Sequence, residues 1–267
     1  MADTSGTRRE RRAAARVERQ ERERAAAARA RQRTRLFQLG GAVLLAAVIV
    51  VVIIVATGGG NDGPTKQAGE SVAGQNQTAA LFAGIPQSGT TLGRADAPVT
   101  MVEFGDLQCP FCAQTSDTVM PDIIRNYVRD GRVKLVFRDV AFIGTDSIRA
   151  GQMAAAVGQQ NKFWDFMHLF YINQREENTG YVTDDFLRQI AGGVAGVNVA
   201  QAMRDRGNPA FQRDQAAAQR EWQTTYGFQG TPAFVVGRTG GRLTAVNTDN
   251  GATYAVLSGA LDRALGN

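Results

Sequence analysis

The chain has 267 residues and a net charge of +5, which is long enough for one sizeable domain with additional segments. Residues 1–35 contain 12 arginines against five acidic residues, so the basic character belongs to this segment and the rest of the chain is slightly acidic. Two cysteines and one histidine are too few for a structural zinc site, which needs about four ligands.

The first 56 residues predict a membrane anchor. Residues 1–35 mix Arg, Glu and Ala without an apolar stripe, and such an arm is attracted to anionic lipid or to nucleic acid; we favour a topology signal with lipid contact. Residues 36–56 are uncharged and would span about 30 Å as a helix, the thickness of a bilayer core. A cleaved signal peptide usually has a shorter apolar core, so we expect an uncleaved anchor. The positive-inside rule then places the N-terminus in the cytoplasm and the residues from 57 onward outside.

A flexible extracytoplasmic linker is predicted for residues 57–91, which are rich in Gly, Ser, Asn, Gln and Thr. We therefore expect the folded domain to span residues 92–267. Three apolar residues near the end of the linker, Leu81, Phe82 and Ile85, are candidates for packing against the edge of this domain.

Both cysteines follow a predicted apolar strand, Val99–Phe104, and stand at the start of a helix as Cys109-Pro110-Phe111-Cys112. Unpaired N–H groups and the helix dipole favour an anion there, so we expect the pKa of Cys109 to fall below its ordinary value of roughly 8.5. Pro110 suits the first helical position, where an N–H would be unpaired. We interpret Cys109 as the attacking thiol and Cys112 as the more buried resolving thiol.

Two other interpretations of the cysteine pair stay open. A structural disulfide across so short a loop contributes little stabilisation through chain entropy. Two inert buried thiols would be unusual in an exported domain. We favour a redox-active disulfide, which needs no separate cofactor.

The region after the cysteines predicts a helix over 110–129, kinked at Pro121, and a half-buried strand over 133–138. Strand, helix and strand together form a βαβ unit. Only helices are predicted in the next 80 residues, at 147–160, 162–174, 183–191, 198–206 and 209–226. His168, the single histidine, has no second ligand or nucleophile beside it in sequence, so we assign it a structural role.

A Thr231-Pro232 pair precedes the apolar run 233–236 near the C-terminus. A proline before a buried strand is unusual because it donates no ladder hydrogen bond, and taken alone it predicts a turn. Residues 236–242 predict a hairpin turn, and a final helix carries Tyr254, Leu257, Leu261 and Leu265 on one face.

Four groups of residues together resemble the DsbA-like thiol–disulfide oxidoreductases of the thioredoxin superfamily, especially the membrane-anchored type of Gram-positive bacteria. They are Val102-Glu103-Phe104, Cys109-Pro110-Phe111-Cys112, Lys162-Phe163-Trp164 and Gly230-Thr231-Pro232-Ala233-Phe234. The resemblance runs from about Leu92 to the C-terminus. It implies an α/β thioredoxin fold with a helical domain inserted at about residues 145–226.

The resemblance also implies roles for single residues. Glu103 corresponds to a buried acid under the disulfide that helps to move the proton of the second thiol, whereas taken alone it predicts a solvent-facing carboxylate. Pro232 is implied to be cis beside the disulfide, with the backbone of Thr231 pairing with a substrate strand. Pro110 and Phe111 complete the active-site motif. No metal or nucleotide site is expected.

The function implied by the resemblance is oxidation of cysteine pairs in exported proteins by a domain tethered to the cell membrane. A quinone-linked membrane enzyme of the DsbB or VKOR-like type would restore the disulfide. We expect no nucleic-acid partner, and we expect a monomer because no dimerisation segment is evident.

One departure from the best-known pattern keeps two alternatives open. That pattern has His between the cysteines, and the neutral Phe111 here cannot stabilise a thiolate by charge. A milder oxidant, or a reductase or isomerase of the same fold, is therefore the first alternative. The second is a non-enzymatic thioredoxin-fold module for binding or chaperoning.

Overall fold

The central strand of the sheet leads directly to the cysteines. In the computed structural model, which describes residues 71–266, strand β3 (Val99–Gly105) is buried along its whole length. Its edges pair with β4 (Val133–Asp139) in parallel on one side and with β5 (Ala233–Arg238) antiparallel on the other, and its side chains enter apolar clusters on both faces of the sheet. Three short strands complete the six-stranded sheet in the order β1-β2-β4-β3-β5-β6: β1 (Gln87–Ser88), β2 (Thr91–Leu92) and β6 (Thr244–Ala245).

The crossover from β3 to β4 confirms the predicted βαβ unit but not its single helix. The chain forms α2 (Pro110–Thr118), α3 (Met120–Ile123) and a π-helical turn (Ile124–Val128). The break falls at Val119, two residues before Pro121, because proline has no N–H to continue the helical ladder.

The region between β4 and β5 is helical, as predicted. Its elements are α4 (Thr145–Gly158), α5 (Phe163–Ile172), α6 (Asp184–Gly192), α7 (Val199–Asp205), α8 (Pro209–Arg220) and a π-helical turn (Glu221–Thr225). Helix α9 (Tyr254–Leu265) closes the domain. Apolar side chains from both the insertion and the sheet form the main core, in which Trp164, Phe166 and Phe170 are fully buried.

The predicted linker was wrong over residues 75–91. Helix α1 (Gln75–Phe82) packs against α5, and β1 and β2 extend the sheet. Leu81, Phe82 and Ile85 are buried, and these few apolar contacts order a segment whose composition is otherwise polar.

The predicted hairpin turn at 236–242 begins too early. Strand β5 continues through Arg238, because Gly237 and Arg238 still pair with β3, and the turn follows before β6. Within residues 71–266 no helix is both long and apolar enough to cross a membrane. The predicted anchor, 36–56, lies outside the described residues, as do the basic arm and the first part of the linker.

Candidate active site

The turn after β3 holds the first cysteine at the start of α2. Gly105 ends the strand where a side chain would clash, since an added Cβ would lie 2.6 Å from the ring of Phe137. The buried carboxylate of Asp106 then accepts hydrogen bonds from the backbone N–H groups of Gln108 (2.8 Å) and Ile143 (3.0 Å). Cys109 becomes the N-cap residue of α2, with Pro110 at the first helical position as predicted.

Side chains of the helical insertion fix the same turn from above. Gln174 donates from Nε2 to the carbonyls of Leu107 (2.7 Å) and Cys109 (3.3 Å). Gln108 donates to the hydroxyl of Ser147 (3.1 Å) and accepts from the backbone of Asn178 (2.9 Å). The sequence analysis missed Gln174 and Gln108, because amides are common and only the fold brings these two to the cysteines.

The environment of Cys109 favours its thiolate. The S–H of Cys112 donates a hydrogen bond to the sulfur of Cys109, and this is the largest contribution that lowers the pKa of Cys109. Burial opposes ionisation, but with smaller contributions added the pKa still falls from 9.0 to about 6. Those smaller contributions come from Thr231 and from the backbone N–H groups of Cys112 and Phe111 at the start of the helix. The direction is the one predicted from the helix position. Cys109 is only 4% exposed.

The second thiol has the opposite character. Burial raises the pKa of Cys112 well above its ordinary value, and the neighbouring Cys109 and Glu103 raise it further. Its side chain is fully buried, and both cysteines are free thiols in this structure. One thiol therefore ionises readily and the other keeps its proton.

Glu103 lies beneath the thiols on the central strand. It is 2% exposed, and neither carboxylate oxygen has a hydrogen-bond partner. Desolvation by burial raises the pKa of Glu103 from 4.5 to about 8, and the charge of Cys109 adds to the rise. The side chain is therefore buried and mostly protonated at neutral pH, not a solvent-facing carboxylate.

The Thr231–Pro232 peptide bond is cis, as the resemblance implies, and lies against the first cysteine. The thiol of Cys109 donates to the carbonyl of Thr231 at 3.2 Å. The hydroxyl of Thr231 has no partner of ordinary hydrogen-bond geometry, but it is close enough to the sulfur to lower the pKa of Cys109.

A groove of about 530 Å³ opens beside the thiols. Helix α2 forms one wall with Phe111, while Thr231 and Pro232 form another and Tyr254 closes a third side. Phe111 is 67% exposed, so it presents an apolar surface next to Cys109.

The structure brings the seven predicted site residues together. They are Glu103, Cys109, Pro110, Phe111, Cys112, Thr231 and Pro232. In the part of the chain that the structure describes, no three His, Cys, Asp or Glu side chains are grouped as a metal site requires.

Comparison with protein families places most of the chain in a known family. Residues 87–259 match the family described as Thioredoxin, well over half of the chain. The chain belongs to the thioredoxin family. This range includes the cysteine pair and the cis proline.

Relatives of this thioredoxin-family chain include proteins named for disulfide formation. The probable disulfide bond formation protein D of Bacillus cereus is 39% identical over 102 residues, which cover 38% of this chain and 47% of the relative. The disulfide bond formation protein D of Bacillus subtilis is 33% identical over 129 residues, which cover 48% of this chain and 54% of the relative. The chain thus matches about half the length of these relatives.

Solved structures match over a larger share of the chain. The thioredoxin-like oxidoreductase of Silicibacter pomeroyi is 28% identical with a TM-score of 0.53, covering 71% of this chain and 98% of that structure. Oxidised BdbD of Bacillus subtilis is 24% identical with a TM-score of 0.57, covering 68% and 97%. The second likeness is one of fold.

Proposed function

We propose that this protein is a membrane-tethered, extracytoplasmic thiol–disulfide oxidoreductase that oxidises cysteine pairs of exported proteins through Cys109 and Cys112. The observation that carries the proposal is the opposed ionisation of two adjacent thiols. The pKa of Cys109 is lowered to about 6, while that of Cys112 is raised well above its ordinary value. Such a pair distinguishes an attacked, easily released sulfur from a buried resolving one.

The first step opens the disulfide of the oxidised enzyme. A client thiolate attacks the sulfur of Cys109, forming a mixed disulfide, and the Cys109–Cys112 bond breaks with its electron pair leaving on Cys112. A thiolate is unfavourable at this fully buried position, so a proton must reach it. Glu103, with a pKa of about 8, is protonated at neutral pH and is the acid beneath the thiols.

The second step releases the oxidised client. A second client thiolate attacks the client sulfur of the mixed disulfide, and Cys109 departs as a thiolate. The client loses two electrons and two protons, and the enzyme becomes a dithiol. Because its environment stabilises the Cys109 thiolate, the reduced form is favoured, which makes the disulfide oxidising.

Apolar surface around the thiols is suited to unfolded clients. In the described residues the exposed large apolar side chains are Phe111, Phe142, Ile148 and Tyr254. Phe111 and Tyr254 line the groove, and Ile148 follows Ser147, which is hydrogen-bonded to Gln108 beside Cys109. The carbonyl of Thr231 is positioned to pair with an extended client segment once the Cys109 thiol no longer donates to it.

The membrane and the recycling partner complete the proposal. The uncharged segment 36–56 and its arginine-rich flank favour a single-pass anchor with the catalytic domain outside the cytoplasm. Disulfide formation belongs to that compartment. A quinone-linked membrane enzyme of the DsbB or VKOR-like type would return the dithiol to the disulfide.

The reduction potential of the Cys109–Cys112 pair tests the direction of electron flow. The full chain in detergent is equilibrated with glutathione buffers, and the Cys109→Ser variant serves as the blank. Reductants such as thioredoxin lie near −270 mV and strong oxidants near −120 mV, with about 30 mV per tenfold change in equilibrium. We expect a value above roughly −200 mV, and a value near the thioredoxin end would overturn the oxidase.

A reductase or isomerase is the alternative that a specific residue favours. Phe111 between the cysteines is neutral and exposed, so the first thiolate gains no stabilisation from a charge at that position. Cys109→Ser tested in cells distinguishes a purely binding or chaperone role from a redox role. If the cellular phenotype of the unchanged protein survives this substitution, the redox account is excluded.

A further inference from the structure

A single tryptophan ties down the loop that carries the cis proline. The loop runs from the end of the π-helical turn Glu221–Thr225 to β5. The carbonyl of Trp222 accepts a hydrogen bond from the backbone of Phe228 at 3.0 Å. Its indole Nε1–H donates to the carbonyl of Gly230 at 3.2 Å. Trp222 therefore joins the loop at two points, the second directly before Thr231.

The other tie of this loop is the reactive cysteine itself. Within residues 71–266, two hydrogen bonds join residues 229–231 to the rest of the protein. One comes from the indole of Trp222, and the other runs from the Cys109 thiol to the carbonyl of Thr231. The second bond needs the thiol proton, which is absent from both the thiolate and a mixed disulfide. In those states the Trp222 bond is the one that remains.

Trp222 is itself held firmly. It is 6% exposed and stacks on Phe142, with ring centroids 5.2 Å apart and planes inclined by 25°. Phe142 lies between β4 and α4, where the chain passes from the sheet into the helical insertion, and Trp222 lies where it returns. The π-helical turn at Trp222 is an irregularity of a kind often found at functional positions.

We infer that Trp222 is a positioning residue, which holds the Thr231 carbonyl in place for a client segment while Cys109 is ionised or bonded to that client. The backbone geometry of Thr231 is then independent of the proton on the cysteine. The same anchor keeps the Thr231 hydroxyl beside the sulfur. The first consequence, for client binding, rests on the proposed function, whereas the second does not.

The chain supplies a matched control, because it contains two tryptophans. Trp164 also donates its indole Nε1–H to a backbone carbonyl, that of Thr90, at 3.0 Å. It lies in the first turn of α5, and Thr90 lies between β1 and β2 at the outer part of the sheet. Trp222→Phe and Trp164→Phe therefore delete the same kind of bond, near the thiols and away from them.

Two measurements on the full chain in detergent separate the variants. The ultraviolet absorbance of the thiolate, followed against pH, reports the pKa of Cys109. We expect it to rise in Trp222→Phe, because the Thr231 hydroxyl is no longer held beside the sulfur, and to stay unchanged in Trp164→Phe. With a model dithiol peptide as client, kcat/KM should fall about fivefold in Trp222→Phe, mainly through KM, as one lost hydrogen bond implies.

Thermal unfolding of each variant verifies that the fold is kept. If Trp222→Phe does not fold, Phe142→Leu removes the stacking ring and leaves the indole bond, and it should raise the pKa of Cys109 in the same direction by less. The inference is overturned if folded Trp222→Phe, or its Phe142→Leu substitute, leaves that pKa and the peptide kinetics unchanged, or if Trp164→Phe alters them equally. Absence of peptide turnover by the unchanged protein would count against the proposed function, and the pKa measurement would still decide the inference.

Discussion

Two buried titratable side chains lie in different regions of this molecule, and burial shifts their pKa values in opposite directions. Glu103 lies on the central strand beneath the thiols, and His168 lies on α5 against α1. They are 2% and 1% exposed, so their burial is alike. Each also has buried polar atoms without a hydrogen-bond partner: both oxygens of Glu103, and Nε2 of His168.

The difference arises because burial disfavours the charged form of either group. For the base, this lowers the pKa of His168 to about 4, away from neutrality, and the ring stays uncharged. For the acid, it raises the pKa of Glu103 to about 8, close to neutrality. Burial therefore keeps His168 uncharged at neutral pH and keeps Glu103 mostly protonated there. Position completes the contrast, since only Glu103 interacts with the thiols.

Removing the acid should have the largest effect. Glu103→Gln keeps the size of the side chain but cannot release a proton, so opening of the disulfide by a dithiol client should slow by about a hundredfold, the lower end for general acid catalysis. Rapid-mixing kinetics of the oxidised protein at pH 7 measure this step. His168→Gln is the control, and its rate should be unchanged.

The pH profile sharpens the same comparison. In the unchanged protein the rate should lose its acid assistance as the pH rises through about 8, the pKa of Glu103. Glu103→Gln should lack this feature after correction for ionisation of the client thiol. Equal rates for the two proteins would mean that solvent supplies the proton and that Glu103 is a bystander.

Much of the fold was predictable because its signals are local. The apolar strand before the cysteines, the alternation over 133–138 and the helices after residue 145 all reflect periodicity within a short window. Helix α1 was not predictable in this way. Its sequence is polar, and it is ordered by Leu81 and Phe82 packing on α5, a contact between residues distant in the chain.

The candidate site also combines features that the local sequence indicates with features that only the folded chain creates. The direction of the pKa shift of Cys109 was predictable from its place at a helix N-terminus, but its largest cause, the hydrogen bond from the thiol of Cys112, depends on how the fold arranges the two sulfurs. The burial of Glu103 and the cis bond at Pro232 were implied only by family resemblance, since an isolated Glu or Pro carries no such signal. Gln174 and Trp222 escaped prediction because their roles exist only once the insertion has folded onto the turn and the loop.

The pH dependence of the free energy of unfolding provides a second test, in which the contributions of Glu103 and Cys109 have opposite signs. The pKa of Glu103 rises from 4.5 to about 8 on folding, so the folded state binds more protons in that window and stability falls as pH rises, by up to about 1.4 kcal/mol per pH unit. The pKa of Cys109 falls from 9.0 to about 6, so its contribution to stability grows between those values.

Denaturant unfolding of the reduced protein between pH 5 and about 8 therefore isolates the acid when Glu103→Gln is compared with the unchanged chain. We expect the variant to lose the part of the decline that belongs to Glu103, most clearly toward pH 5, where Cys109 stays mostly protonated and contributes little slope. Parallel curves would show that Glu103 titrates normally and that water reaches it in the folded state.

His168 should affect the stability of the protein at acidic pH and leave its redox properties unchanged. Its pKa falls from 6.5 to about 4 on folding, so its contribution is present above 6.5 and is lost as pH falls through this window. His168→Gln should flatten the dependence between pH 4 and 6.5, as measured by unfolding midpoints. An altered reduction potential in this variant would contradict the separation of the two regions.

The smallest expected effect comes from the single hydrogen bond of the histidine. The hydroxyl of Thr78 on α1 and Nδ1 of His168 are 2.8 Å apart, and both side chains are buried. Thr78→Val keeps the shape and leaves Nδ1 unpaired, which should lower the free energy of unfolding by about 1 kcal/mol. The reduction potential should not move, because the direct hydrogen bond from α1 to α2, from Gln77 to Asp117 (3.3 Å), lies at the surface and does not involve Thr78. A shift in potential would mean that the packing of α1 is felt by Cys109, and the two regions would then have to be treated as one coupled unit.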